Sequence, residues 1–334
     1  MPELLNELNK LSADDLAKLV TAIMPKCLPG QVAWRDYIYR YFPLWEKHGF
    51  HITPNHFYSP VPEVYKLRQE LWEKAAEMPG LDFRAGAQLK LLDEFHKKYR
   101  QEYDEIPVEK PSDPDKYYLL NGLFEGLDGY LLYCMLRHFK PKNIIEIGSG
   151  YSTILAAQAG RKNEQETGRS SEMTVIDPFP NEVVKRGLPN TKLVAQKVEE
   201  VDGKIFDKLG AGDFLFIDSS HVLKVDGDVK FEYTSLLPRL KSGVIIHIHD
   251  IFFPAEYPKE FFYGLMFFFN EQYLVQAILA NGGSYEIMLA GQYLYQNHLN
   301  KIKEFFPKYY RGEPWPVGDR PWQSTPASLW LKKR

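Results

Sequence analysis

Cysteine is nearly missing from this chain. Two occur among 334 residues, Cys27 and Cys134, in unrelated contexts. They make no C-x-x-C pair, no zinc spacing and no disulfide framework, which favours a reducing compartment. Long apolar runs are absent too: the longest, Phe261 to Phe269, falls far short of the roughly 20 residues a membrane span requires. There is no excess of basic charge, with 41 Lys+Arg against 44 Asp+Glu, a net charge of −3 and a pI near 6.3. Without a basic footprint the chain lacks what phosphate-backbone binding needs, which speaks against a nucleic-acid partner. The N-terminus, MPELLNELNKLSADD, is acidic and broken by charges, unlike a signal peptide. Repeats and low-complexity tracts are missing as well. The expectation is a soluble, cytoplasmic protein.

What is present is an ordinary globular composition, 44% hydrophobic and 25% charged, enough to bury a sizeable core. A prior of roughly 100–200 residues per domain gives about two units. Periodicity changes along the chain. Residues 1–105 read as helices: Leu4, Leu5, Leu8 and Leu11 fall at helical spacing, and Ser12-Ala-Asp-Asp opens a second helix through Leu16 and Val20. Pro29-Gly30 and His56–Pro62 punctuate this stretch, and further helices are expected over Val64–Ala76 and Ala85–Tyr99. Residues 106–116, with three prolines and dense charge, read as a linker. The expected division is therefore a helical unit over 1–110, serving as lid or homodimerisation element, and a second domain over 111–334.

Beyond the linker, short apolar strands alternate with helices. Strands are expected at Asn143–Ile147, Met173–Ile176, Lys192–Ala195, Phe214–Ile217 and Val244–Ile248, and helices at Ser152–Ala159, Phe231–Leu240 and Glu260–Leu279. That alternation argues an α/β fold with a doubly wound parallel sheet. Two late strands, Tyr285–Leu289 and Ser328–Leu331, flank a Pro/Tyr/Trp-rich insertion, Gln292–Pro326. A loop of that length reads as functional or as a lid.

The strongest local signal is Ile144-Ile-Glu-Ile-Gly-Ser-Gly-Tyr-Ser-Thr153. A strand runs into Gly148-Ser149-Gly150 and opens directly into a helix, so the backbone can approach a ligand while free N–H groups face it. A dinucleotide binder wants a third small residue in G-x-G-x-x-G/A; Thr153 stands there instead. Glu146, two residues before the first glycine, would repel a pyrophosphate and suit a ligand carrying an ammonium or sulfonium group. A nicotinamide-dependent dehydrogenase is disfavoured on that ground. Asp177, at the end of the next strand, is placed to accept both hydroxyls of a ribose.

Four motifs together resemble class I S-adenosylmethionine-dependent methyltransferases: Glu146-Ile-Gly-Ser-Gly, Asp177-Pro-Phe-Pro, Asp213-Phe-Leu-Phe-Ile-Asp-Ser-Ser-His221 and His247-Ile-His-Asp-Ile-Phe-Phe-Pro-Ala-Glu-Tyr-Pro258. Within that family they are similar to a bacterial branch that also ends in a Ser-Leu-Trp-Leu-like strand, here Ser328–Leu331. The resemblance runs from about Tyr117 to the C-terminus. It implies a seven-stranded Rossmann-like sheet with a reversed last strand. It also implies S-adenosylmethionine held by Glu146, Gly148, Ser149, Gly150, Tyr151, Ser152, Asp177 and Asp218, with Asn121 in the segment that closes over it.

Ligands of doubly wound sheets bind beyond the carboxyl ends of the strands, and Asp218, His221, His249 and Asp250 reach that edge. Two readings compete. Asp218, His249 and Asp250 could hold a divalent ion that lowers the pKa of an acceptor hydroxyl, as in catechol-type methyltransferases. A histidine where an acid is usual suits magnesium poorly, so a metal is not favoured. Otherwise His221 or His249 is the general base, with Asp218 beside it. His247, inside a strand, reads as a core residue, and the aromatic run Phe261–Phe269 as core packing. Tyr37–Trp45, His56–Tyr58, Tyr117–Tyr118 and Tyr309–Trp322 are candidate walls for a sulfonium. The expected function is methyl transfer to an oxygen or nitrogen nucleophile of a small molecule. The alternative is non-methyl chemistry on the same fold, closing the methionyl chain to azetidine-2-carboxylate with release of methylthioadenosine. A third class is a binding scaffold without chemistry.

Overall fold

The structure is a computed structural model and describes residues 6–27, 42–51, 53, 55, 57–308, 315–317, 320–322 and 325–334. The readings on Leu4, Leu5, Pro29-Gly30, Tyr37–Tyr41, His56 and Tyr309 lie outside the described residues. The chain separates into two compact units, 1–65 and 66–334. In the first, helix α1 spans Ala13–Cys27, and the Ser12 hydroxyl accepts the Asp15 amide at 3.2 Å, a capping bond of the kind that starts helices. A short α2 follows at Phe42–Lys47.

The second unit takes in residues 66–110 as well as the sheet. The helix expected over Val64–Ala76 is two single turns, Val64–Lys66 and Gln69–Leu71. Helix α3, Ala85–Tyr103, buries Leu92, Phe95, Tyr99 and Tyr103 at helical spacing within the sheet unit's core. Helix α4, Gly126–Phe139, lies across it, buried along nearly its whole length. Gly129 lets α4 pass over Tyr117: a Cβ there would sit 1.9 Å from the Tyr117 hydroxyl oxygen.

The sheet then forms as strands β1 (Asn143–Ile147), β2 (Glu172–Ile176), β3 (Thr191–Val194), β4 (Phe214–Ile217), β5 (Ile245–Ile248), β6 (Tyr285–Ala290) and β9 (Leu329–Lys333), in the order β3-β2-β1-β4-β5-β9-β6. β9 runs antiparallel to both β5 and β6; every other pair is parallel. This is the seven-stranded sheet with a reversed last strand. The central strands are buried on both faces, which is why they read as unbroken apolar runs. Alternation along β1 sends Ile144 to one core and Ile145 and Ile147 to the other.

Between the strands lie α5 (Tyr151–Thr167), α6 (Glu182–Arg186), α7 (Asp228–Phe231), α8 (Lys259–Tyr263) and α9 (Glu271–Asn281). The helix expected over Glu260–Leu279 is therefore two helices. Gly264 ends α8, and Met266 takes a left-handed backbone at φ 54°, which no continuing helix tolerates. The aromatic run divides with it: Phe261 and Phe262 are buried, whereas Met266 and Phe267 are exposed. The insertion expected as a long loop begins as α10 (Gly291–Asn297) and α11 (Leu299–Phe305), whose Leu294, Ile302 and Phe305 enter the core. A backbone hairpin, β7 (Trp315–Val317) with β8 (Arg320–Trp322), follows. Among the described residues no helix is long and apolar enough to cross a membrane.

Candidate active site

Every strand end named by the sequence motifs lies on one edge of the sheet. The turn after β1 is fixed by Gly148, whose amide donates to the Ile176 carbonyl at 3.0 Å. Its φ of 85° is left-handed, and a Cβ there would meet the Asp218 carbonyl oxygen at 2.0 Å. Only glycine allows both the backbone conformation and that approach. The same packing ties the turn to the end of β4, where the Asp218 amide donates to the Ile147 carbonyl at 3.0 Å. Gly150 opens α5 with free space where a Cβ would stand, and its amide donates to Thr153 Oγ1 at 3.0 Å. Asp177 carries two local donors: the Ser149 hydroxyl on Oδ2, and the Phe179 amide on Oδ1 at 2.7 Å.

Glu146 lies beneath this turn. It is 1% exposed, one oxygen accepts from Ser152 Oγ at 2.6 Å, and the other has no hydrogen-bond partner among the described residues. Burial pushes its carboxyl up to about 8, against the pull of the nearby Ser152 and Thr153 hydroxyls. The sequence reading put Glu146 and Ser152 against a ligand; the geometry turns both inward, where they bond to each other. Asn121 is likewise occupied. Its amide donates to the Tyr118 and Phe124 carbonyls and its oxygen accepts from Leu123 and Phe124, so it shapes the loop before α4. Tyr151 pairs with Tyr118 through their hydroxyls at 3.2 Å.

Beside the turn, Asp218, His221, His249 and Asp250 converge. His221 Nε2 is 3.3 Å from Asp218 Oδ1 and 3.4 Å from Asp250 Oδ2. His249 Nδ1 is 3.6 Å from Asp218 Oδ1 and 3.7 Å from Asp250 Oδ1. Strand alternation alone would turn Asp250 away from His249, but β5 ends at Ile248 and Asp250 adopts a left-handed φ of 54° that brings it back. His221 is also left-handed, at 59°. Such conformations cost about 1 kcal/mol or more each and mark over-determined, often functional, positions.

Two further carboxylates complete the group. Asp128, at the start of α4, stands 3.6 Å from His249 Nε2 and accepts the Ala327 and Ser328 amides. Glu271, the first residue of α9 and fully buried, lies 2.9 Å from His221 Nδ1 and accepts from Tyr233 Oη at 2.6 Å. Burial alone would lower both imidazoles. The carboxylates outweigh it, Asp250, Asp218 and Glu271 for His221, and Asp218, Asp250 and Asp128 for His249, and hold both rings well above the ordinary range. Reciprocally, the charged His249 and the hydrogen bonds of both rings overcome burial and hold Asp218 below the usual carboxylate range.

Among the described residues no group of three or more His, Cys, Asp or Glu is disposed to hold a divalent ion. In their charged form His221 and His249 donate to the carboxylates, whereas a general base must accept a proton. His247 is a core residue, as expected: it is fully buried, stacked 4.1 Å from Phe216, bonded to Ser328 Oγ at 2.9 Å, and driven well below the usual range by burial and then by His249. Glu271 received no role from the sequence, and Asp128 only a place at the end of the segment Asn121–Asp128 expected to close over the cofactor. Each enters from an element remote along the chain, and no local motif surrounds Glu271.

Comparison with known proteins agrees with this architecture. A methyltransferase domain family model matches residues 145–251. An uncharacterized protein of Archaeoglobus fulgidus is 31% identical over 164 residues, 47% of this chain and 72% of that protein. Among solved structures, an SAH-bound methyltransferase of Podospora anserina is similar at 17% identity, covering 75% of this chain and 94% of that one with a TM-score of 0.38. An O-methyltransferase from Bacillus cereus, in complex with SAH, is similar at 13% identity, covering 73% and 91% with a TM-score of 0.32. The chain carries a methyltransferase domain over residues 145–251.

Proposed function

We propose that this chain transfers a methyl group from S-adenosylmethionine to an oxygen or nitrogen nucleophile of a small molecule. The observation that carries the reading is the direct packing of the Gly148 turn against Asp218, which sets a backbone cradle beside a cluster of carboxylates and imidazoles. The residues fit the ligand. Gly150 leaves space on its Cβ side, the start of α5 offers amides, and Asp177 already accepts one hydroxyl and one amide, the kind of donors a ribose diol supplies. Gly148, Gly150, Tyr151 and the main chain of Ser149 would hold the methionyl part and Asp177 the ribose, with Glu146 acting from beneath. A nearby cation favours the ionised form of Glu146. When bound, S-adenosylmethionine supplies an electrophilic methyl on a sulfonium.

The chain's own part is to align and deprotonate the acceptor. Four carboxyl groups, Asp128, Asp218, Asp250 and Glu271, face two imidazoles. That excess of acids leaves the edge able to accept a proton from a hydroxyl or ammonium. Asp250 is the acceptor; Asp218, held below the usual carboxylate range by the charged rings, is the weaker base and serves to anchor both rings. The imidazolium N–H groups hold the two carboxylates at fixed separation, and such positioning is a large part of what an enzyme contributes to a transfer reaction.

The test is incubation of the purified protein with S-adenosylmethionine, with and without chelator, followed by mass spectrometry and an acceptor screen. Release of S-adenosylhomocysteine that needs an added acceptor and survives chelator is expected. Methylthioadenosine formed with no acceptor would replace methyl transfer by internal cyclisation. Failure to bind S-adenosylmethionine in calorimetry would overturn the reading altogether.

A further inference from the structure

His221 is held from behind as well as in front. The start of α9 grips its main chain, the Asn270 and Glu271 amides both donating to the His221 carbonyl at 3.1 and 3.2 Å. The same helix start grips its ring through Glu271 Oε2, 2.9 Å from Nδ1. The Asn270 side chain joins in, its oxygen accepting the Leu223 amide at 2.6 Å. The Glu271 carboxylate has no freedom to swing away, because Tyr233 Oη donates to its other oxygen. Glu271 is fully buried, so no solvent competes for either oxygen. With Tyr233 donating to Oε1, Oε2 is left to accept from the ring nitrogen that faces it.

We infer that Glu271 is a positioning residue: it holds the His221 ring by Nδ1 so that Nε2 is presented to Asp218 and Asp250 at the sheet edge. The arrangement needs all three parts. The left-handed backbone of His221 turns the side chain inward, the α9 amides fix that backbone, and Glu271 fixes the rotation of the ring. Phe269, 4.8 Å from the imidazole between ring centroids, closes one side. Tyr233 acts one step further back, orienting Glu271 as Glu271 orients the ring. The role of Glu271 in turnover rests on the methyl-transfer reading; its hold on the ring does not.

The decisive measurement is the proton NMR spectrum of the full-length protein in the far-downfield region, where an imidazole N–H hydrogen-bonded to a buried carboxylate resonates. Among the far-downfield resonances of the wild type, those lost in H221Q belong to that ring, and one of them, that of Nδ1–H, should also be lost in E271M. It should return, shifted, in E271Q, whose amide oxygen can still accept, and it should shift in D218N because the far side of the same ring has changed. Survival of all the ring's resonances in E271M, or their absence from the folded wild type, overturns the inference. Should E271M fail to fold, E271Q carries the test, and a spectrum in which none of them moves overturns it equally. In the S-adenosylmethionine assay, turnover of E271M should fall about tenfold or more at an S-adenosylmethionine KM within about threefold of wild type. A merely structural role would lower the folded fraction and leave the per-molecule turnover intact. Calorimetric binding of S-adenosylmethionine to the wild type judges the methyl-transfer reading separately.

Discussion

Two charge networks stand on this molecule, each centred on buried cations, and the cations differ. Behind the sheet, Arg137 on α4 bonds to Glu102 on α3 at 2.7 and 3.0 Å, to Glu166 on α5 at 2.7 Å, and to Asn163. Tyr133 adds its hydroxyl to Glu102, and Lys140 pairs with Glu166. At the carboxyl edge, His221 and His249 stand among Asp218, Asp250, Asp128 and Glu271. A guanidinium keeps its charge under all ordinary conditions, so the first network can only staple three helices. An imidazolium can give up its proton, so the second can exchange one with a ligand. Burial is common to both; the chemistry of the cation decides which is scaffold and which is site.

The largest effect expected from breaking this contrast is on stability at Arg137. Removing the guanidinium in Arg137→Met leaves the Glu102 carboxylate facing an apolar side chain, and breaking a buried pair this way costs about 3–5 kcal/mol. Urea unfolding should show that loss as a lower midpoint, while S-adenosylmethionine affinity per folded molecule stays unchanged. A loss of affinity as large as the loss of stability would mean that the two networks are coupled. Asp218→Asn should show the opposite balance. Both rings lose a shared partner, but each can shed its proton, so the stability cost should stay near about 1 kcal/mol. Turnover should fall about 100-fold, because Asp218 anchors both rings beside the acceptor. Wild-type turnover in D218N would remove the cluster from the chemistry.

Much of this architecture can be read in the chain. The strands around Glu146-Ile-Gly-Ser-Gly, Asp177, Asp213–His221 and His247–Asp250 are apolar runs ended by polar residues, and a doubly wound sheet sends all of those ends to one edge. What escapes is whatever depends on the chain returning to that edge. Glu271 reaches His221 only because α9 begins beside it, and Asp128 reaches His249 only because α4 lies under β9. Glu271 has no neighbour in sequence that betrays its role, and the motif that ends at Asp128 does not point to His249. The break at Gly264–Met266 escapes because apolar periodicity is blind to a left-handed residue. Residues 66–110 escape for a related reason: Leu92, Phe95 and Tyr99 show that α3 has a buried face, but not which unit buries it.

Glu146 extends the comparison to a buried acid that has no ion pair among the described residues. Its carboxyl is raised from 4.5 to about 8. Between those values the unfolded chain has released a proton that the folded chain keeps, so this residue makes stability fall as pH rises. Glu146→Gln removes the titration while keeping an oxygen for Ser152. The variant should lie within about 1 kcal/mol of wild type near pH 5 and gain about 3–4 kcal/mol on it by pH 8, measured by chemical unfolding at both values. The Arg137 network should contribute nothing over that interval, since Glu102, held low by the Arg137 and Tyr133 hydrogen bonds against the opposing effect of burial, titrates further down. A flat difference between E146Q and wild type would show that Glu146 is ionised throughout.

The smallest effect separates an exchangeable hydrogen bond from a permanent one. In the arginine network Asn163 is buried and bonded both to Arg137 and to the Leu136 carbonyl, an arrangement with no reason to open. At the cleft, the Ser149 hydroxyl rests on Asp177 Oδ2, the oxygen a ribose hydroxyl would use. A ligand diol must then exchange one neutral hydrogen bond for another, and such exchanges are worth about 1 kcal/mol or less. Ser149→Ala removes the competitor without touching the carboxylate. S-adenosylmethionine should bind about two- to threefold more tightly to S149A in calorimetry, a gain of roughly half a kcal/mol. Tenfold weaker binding would instead make Ser149 a direct ligand contact, and the hydroxyl on Asp177 part of the site rather than its placeholder.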